Sequence, residues 1–352
     1  MTNLRVDLYS DTVTRPTPAM RRFMAEAEVG DEQRGEDPSV NELQRLVAEL
    51  LGKEAAVFLP SGTMCNLIAL TVHCRPGDLI LLDRSAHPLN AEAGGTAVVS
   101  GAIPYPLDGA RGMFTAEQVA AAISPPSRNR PPVRVVSVEQ TTNPPGGCVW
   151  PLEQIRAVCE LAHERGVATH MDGARLFNAS VASGIPVGEY AATFDSAWID
   201  LSKGLGAPVG GVLAGSRAFI ETAWQWKQRL GGAMRQAGII AAAGIYALRH
   251  HVGRLAEDHA NARRLAQAIA GTPGLRVDAG GIETNIVRID ITGAGVTARA
   301  FADRLLAEEG VRVSTPGWTV MRAVTHLDVS ETDTDVAAIA IRAAAERFAA
   351  AR

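Results

Sequence analysis

Val167-Ala168-Thr169-His170-Met171-Asp172-Gly173-Ala174-Arg175 is a short apolar run that closes on a carboxylate and a glycine. The stretch before it, 151–165, reads as a helix. Helix, strand and then a charged residue at the strand's end is the unit of an open, mostly parallel sheet, whose ligands sit outside the carboxyl ends of the strands. Outward from this unit, similar apolar runs recur at 55–59, 79–82, 97–99 and 133–138. Asp37-Pro38 reads as a cap and first turn, and Val40, Leu43, Leu46, Val47 and Leu50 follow at helical spacing. After a long helical stretch near 235–270 the pattern changes. Strands are expected at 285–291, 311–314 and 321–327, alternating with helices near 297–308 and 331–349. The expectation is an α/β large domain with an N-terminal arm over 1–247, followed by a smaller α+β domain over 248–352.

The bulk numbers narrow the class. A chain of 352 residues can bury two cores, and 47% hydrophobic with 20% charged residues is ordinary globular composition. The net charge is −4 and no basic block stands out, which argues against nucleic acid and anionic membrane as partners. No apolar run approaches the ~20 residues of a membrane span. Residues 1–15 lack the basic-then-apolar layout of a signal peptide. Cys65, Cys74, Cys148 and Cys159 form no Cys-x-x-Cys pair and read as small buried thiols, so a cytoplasmic location and no metal are expected.

Four needs of one cofactor, pyridoxal phosphate, find candidates in sensible order. An imine-forming lysine is Lys203, in Asp200-Leu201-Ser202-Lys203-Gly204-Leu205-Gly206, after a strand-like run and before small residues. A carboxylate to keep the pyridine nitrogen protonated is Asp172, with a helix cap for Gly173 onward as the lesser alternative. Ser61-Gly62-Thr63, between a strand and a helix, offers amides for a phosphate, a weak signal except for its position. His87, shortly after the run at 79–82, is a candidate to cover the ring and exchange protons, where a lone histidine is more often structural. Arg175 and Arg322 suit a substrate carboxylate or the cofactor hydroxyl, though singly each suits a surface ion pair. Arg322 lies in an apolar strand, where an unpaired charge is costly.

These segments, with Asp7-Leu8-Tyr9-Ser10-Asp11-Thr12-Val13-Thr14-Arg15-Pro16-Thr17, Gly35-Glu36-Asp37-Pro38 and Thr325-His326-Leu327-Asp328-Val329-Ser330, resemble the low-specificity L-threonine aldolase family nearly end to end. The resemblance implies a fold-type-I, aspartate-aminotransferase-like enzyme, a homotetramer built as a dimer of dimers with sites at a dimer interface. It implies pyridoxal phosphate held on Lys203 and facing Asp172, with Gly62, Thr63 and Arg235 at the phosphate and His87 over the ring. Ser10, Arg175 and Arg322 would serve the cofactor hydroxyl and the substrate carboxylate. The implied reaction is retro-aldol cleavage of a β-hydroxy-α-amino acid of the L-threonine or L-allo-threonine type to glycine and an aldehyde. Other reactions on this scaffold (β-elimination, racemisation, transaldol transfer, transamination) are the alternative.

Four positions depart from the family pattern. Arg34 stands where a tyrosine is usual, Ala91 for an aromatic, Thr142 for a histidine and Gln228 for a lysine, with Lys227 and Arg229 beside it. A threonine hydroxyl cannot accept a proton at neutral pH, so His87 or a water held by Thr142 must take that task. On this reading Thr142→His should raise activity on threonine. Ala91 should widen the pocket, and Arg34 either binds a polar substrate tail or pairs with a neighbouring carboxylate. A substrate larger or more polar than threonine is therefore expected.

Overall fold

Runs rich in Val, Leu and Ile are buried best in strands covered on both faces, and most strands of this chain are of that kind. The computed structural model describes residues 4–125 and 127–350. In chain order the strands are β1 (Val6–Leu8), β2 (Ala55–Leu59), β3 (Leu79–Asp83), β4 (Ile103–Leu107), β5 (Val133–Glu139), β6 (Ala168–Gly173), β7 (Ser196–Asp200), β8 (Gly211–Gly215), β9 (Ile286–Asp290), β10 (Val311–Val313) and β11 (Val320–Val324). Seven form one sheet in the order β2-β8-β7-β6-β5-β3-β4. Strands β3 to β7 run parallel, and β8 is antiparallel to both its neighbours. Every residue of β7 and β8 is buried, and each buried Val, Leu or Ile stabilises the sheet by about 1.5–3 kcal/mol.

Helices cover both faces. Pro38–Leu51 starts on the Asp37 cap, whose side chain accepts from the Val40 N–H, and it ends at Gly52. Gly238–His250 packs against it. A side chain at Gly244 would meet Leu201 and Leu43, so only glycine allows this approach.

One expected strand is a helix. Residues 97–99 end the helix Gly95–Val99, and the strand of this region is β4, at the sheet edge. Pro104 and Pro106 lie in β4. Proline lacks the ladder N–H, so it hides a strand from pattern reading and is tolerated at an edge.

A second core gathers Leu265, Ile289, Phe301, Leu305, Met321 and Ile341 beneath the antiparallel pair β9–β11. Val6 and Leu8 belong to this core, and β1 pairs parallel with β10. The N-terminal arm, expected with the large domain, therefore ends in the smaller one. The reason is burial: Val6 and Leu8 lose their apolar surface to that core.

Candidate active site

The parallel strands deliver their last residues to one cavity of about 430 Å³. Asp172 comes from β6, Glu139 from β5, and Trp198, Asp200, Ser202 and Lys203 from β7 and the turn after it. Of the twelve residues singled out in the sequence, nine line it: Ser10, Gly62, Thr63, His87, Ala91, Asp172, Arg175, Lys203 and Arg322. Arg34, Thr142 and Arg235 do not.

Lys203 opens a tight turn with φ of +52°, a left-handed conformation that costs a non-glycine residue energy and is seen where surroundings enforce it. Thr14 Oγ1 donates to its carbonyl at 2.8 Å and the Gly206 N–H at 3.0 Å. Its Nζ stands 3.1 Å from Asp200 Oδ2. Asp200 Oδ1 in turn accepts from the Ser202 N–H at 2.8 Å and Oγ at 2.5 Å. Asp200 lay inside the lysine motif without a role assigned to it, and its position three residues before Lys203 was the available signal.

Asp172 is buried. Its Oδ1 accepts from the Ala174 N–H at 3.0 Å, and its Oδ2 from Asn66 Nδ2 at 2.7 Å. His87 begins the short helix His87–Asn90, and its Nδ1 lies 2.8 Å from Glu92 Oε1. Neither Asn66 nor Glu92 is visible as a site residue in the sequence, because each acts from behind the cavity wall.

The helix Gly62–His73 points its N-terminus at the cavity. Ser61 Oγ accepts from the Met64 N–H at 3.2 Å, which leaves the amides of Gly62 and Thr63 without an intrahelical acceptor. A side chain on Gly62 would strike the Trp198 ring, so glycine keeps this end open.

Arg175 is held by Asp11 in a fork-to-fork pair, Nε to Oδ2 at 2.8 Å and Nη2 to Oδ1 at 2.6 Å, both buried. Asn285 Nδ2 also donates to Asp11 at 3.1 Å. Burial opposes the Asp11 charge, but the Arg175 guanidinium more than offsets it and holds the carboxyl far below the usual range. Arg322 donates from Nη1 to Asn143 Oδ1 at 2.6 Å and from Nε to Ser314 Oγ at 3.1 Å. Burial first, then the nearby Arg175 charge, lower its pKa. A carboxylate beside Arg322 would give it the counter-charge that Arg175 already has in Asp11. Asn143, one residue past Thr142, lines the cavity in its place.

Thr142 is buried, and its Oγ1 finds no hydrogen-bond partner among the described residues. Arg34 is exposed and its Nε pairs with Glu36 Oε1 at 3.0 Å. Arg235 is exposed and pairs with Asp31 Oδ2 at 2.8 Å. Lys227 is fully buried, 2.8 Å from Glu32 Oε1 and over the Trp224 ring, so it is spent on a structural pair.

Amine, carboxylate, imidazole and open helix amides thus meet in one cavity, the donor set that a phosphorylated pyridine aldehyde requires. The β-eliminating lyase family profile matches residues 7–292. The low-specificity L-threonine aldolase of Escherichia coli (strain K12) is 44% identical over 92% of this chain and 95% of its own. The chain belongs to the low-specificity L-threonine aldolase family. Members of this family are lyases that work with pyridoxal phosphate, and so does this chain. A threonine aldolase from Leishmania major superposes with a TM-score of 0.81 at 18% identity, covering 97% of this chain and 100% of that one. An aspartate aminotransferase from Rhizobium meliloti superposes with a TM-score of 0.71 at 15% identity, covering 97% and 91%. Threonine aldolase and aminotransferase thus share the fold-type-I architecture expected for this chain.

Proposed function

We propose that this protein cleaves a β-hydroxy-α-amino acid of the threonine type to glycine and an aldehyde. The observation that carries the reading is the meeting of Lys203, Asp172, His87 and the Arg175–Arg322 pair in one cavity. When bound, pyridoxal phosphate supplies an electron sink conjugated to the substrate's α-carbon. Lys203 and Asp172 would hold it, with the Gly62 and Thr63 amides at its phosphate. Arg322, with Arg175 behind it, takes the substrate carboxylate and so fixes which α-carbon bond stands perpendicular to the ring. His87 is the residue placed to remove the β-hydroxyl proton, since Thr142 has no base to offer. Ala91 leaves space on the His87 side, which supports a side chain larger or more polar than the methyl of threonine.

Arg34 and Arg235 are exposed, each held by a neighbouring carboxylate. The reading assigns them to the cavity of a second copy, within a dimer-of-dimers tetramer. Mixing an inactive Lys203→Ala protein with an inactive Arg235→Ala protein should then restore activity, because one kind of mixed cavity carries both wild-type residues. Among the described residues no helix is long and apolar enough to cross a membrane. Four buried, unpaired cysteines support a reducing, cytoplasmic setting.

The test is a substrate screen of threonine, allo-threonine, phenylserine and 3-hydroxyaspartate scored for products. Glycine with aldehyde is the expected result. Ammonia with a keto acid would instead assign β-elimination, and a clear preference for threonine would defeat the argument from Ala91.

A further inference from the structure

Behind the cavity wall one amide sits between two carboxylates and an indole. Asn66 lies on the helix Gly62–His73 and is 1% exposed. Its Nδ2 donates to Asp172 Oδ2 at 2.7 Å and to Glu92 Oε1 at 2.8 Å. Its Oδ1 accepts from Trp198 Nε1 at 2.7 Å and lies 3.4 Å from His170 Nε2. An indole N–H can only donate and ionised carboxylates only accept, so the amide has a single orientation that satisfies its neighbours. Glu92 Oε1 is shared: it also faces His87 Nδ1 at 2.8 Å. Glu92 is buried, and its second oxygen has no partner among the described residues, so the whole of its hydrogen bonding converges on His87 and Asn66.

We propose that Glu92 and Asn66 are positioning residues of this site. Glu92 keeps the His87 proton on Nδ1, which leaves the lone pair on Nε2, and Asn66 ties that arrangement to Asp172. The inference rests on the function proposed above, in which His87 Nε2 receives the substrate hydroxyl proton. The imidazole that takes the proton and the carboxylate that faces the cofactor are then fixed relative to each other by one amide. A slip of either would be transmitted to the other through two short hydrogen bonds.

Glu92→Gln keeps the size of the side chain and can present an amide NH₂ to His87 Nδ1. In the holoenzyme, kcat for glycine release should fall about 10-fold or more, part of the roughly 10²–10⁴-fold that a positioned general base contributes. KM should change little. In a His87→Gln background the same substitution should cost clearly less than in wild type, because the part of its effect that passes through the imidazole is already lost, and what remains passes through Asn66. Independently of turnover, ¹⁵N spectra of histidine-labelled protein, with His87 assigned by its loss in His87→Gln, should show the Nδ1–H tautomer in wild type and the Nε2–H tautomer in Glu92→Gln. Unchanged kcat with an unchanged tautomer overturns the proposal. Should Glu92→Gln not fold, the wild-type spectrum decides alone, since a resting Nε2–H imidazole excludes the arrangement. A wild-type enzyme that releases no glycine from any β-hydroxy amino acid would sink the proposed function instead, and leaves the tautomer measurement to judge this inference.

Discussion

Glu139 and Asp172 are Cα partners on adjacent parallel strands, so two buried carboxyls stand side by side at the floor of the cavity. Burial, and then the neighbouring Asp172 charge, push Glu139 well above its ordinary 4.5. The folded protein therefore holds a proton on Glu139 at pH values where the unfolded chain, with a glutamate pKa near ~4.3, has released it. The native state binds more protons, so this group's contribution to stability is full below that value and is lost as pH rises through the folded pKa. Glu139→Gln cannot ionise and should abolish this loss. The melting temperature of cofactor-free Glu139→Gln minus that of wild type should grow from pH 4 upward; a difference that stays flat would mean Glu139 titrates like an exposed glutamate.

The Asp11–Arg175 pair works in the opposite sense. Asp11 is held below its unfolded value, so its contribution is present above about pH 4 and is lost as pH falls through the folded pKa. Asp11→Asn leaves a buried guanidinium without its counter-charge and should cost about 3–5 kcal/mol at neutral pH. Denaturant titrations at pH 7 and pH 3 should find the gap between variant and wild type narrower in acid.

Arg322 presents a planar fork, and a lysine cannot make the same two contacts. Arg322→Lys should raise KM for a β-hydroxy amino acid by about 10- to 100-fold, the loss of one charge-assisted hydrogen bond. Steady-state kinetics check this, and an effect confined to kcat would remove Arg322 from carboxylate binding.

Thr142 changes its expected behaviour once its surroundings are known. A side chain on Gly112 would already lie 3.0 Å from Thr142 Cγ2, and the residue is 1% exposed. Histidine there overpacks the interior, at about 1–3 kcal/mol, so Thr142→His should lower the melting temperature rather than improve turnover. Thr142→Val removes a buried hydroxyl that has no partner among the described residues and should leave both stability and kcat nearly unchanged. A large drop in kcat for Thr142→Val would restore a role for that hydroxyl.

Most of the sheet was legible, and so were several cavity residues, where a local signal exists: an apolar run ending in a charge, or a glycine between strand and helix; Ser10 and Ala91 were read through resemblance. Asp172 and Lys203 are of this type. Asp200 carries the same signal, at the end of β7, but had no role assigned to it, whereas Asn66 and Glu92 carry none. Asn66 sits within a helix and Glu92 in a loop, and only the fold brings them to Asp172 and His87. Arg34 and Arg235 were read through resemblance too, and their own chain pairs them with carboxylates at its surface. Edge strand β4 escaped because its two prolines imitate a loop.

The partnership of β1 with β10 has a consequence during synthesis. Val6–Leu8 leaves the ribosome some three hundred residues ahead of its neighbour Val311–Val313. At roughly 5–20 residues per second that is a wait of about 15 to 60 seconds. Ser10 and Asp11 ride on the same arm, so Arg175 takes its counter-charge from a segment whose strand partner is made much later. The β1–β10 pairing, and with it the seating of the arm that carries Ser10 and Asp11, therefore waits on residues made long after the strands of the central sheet.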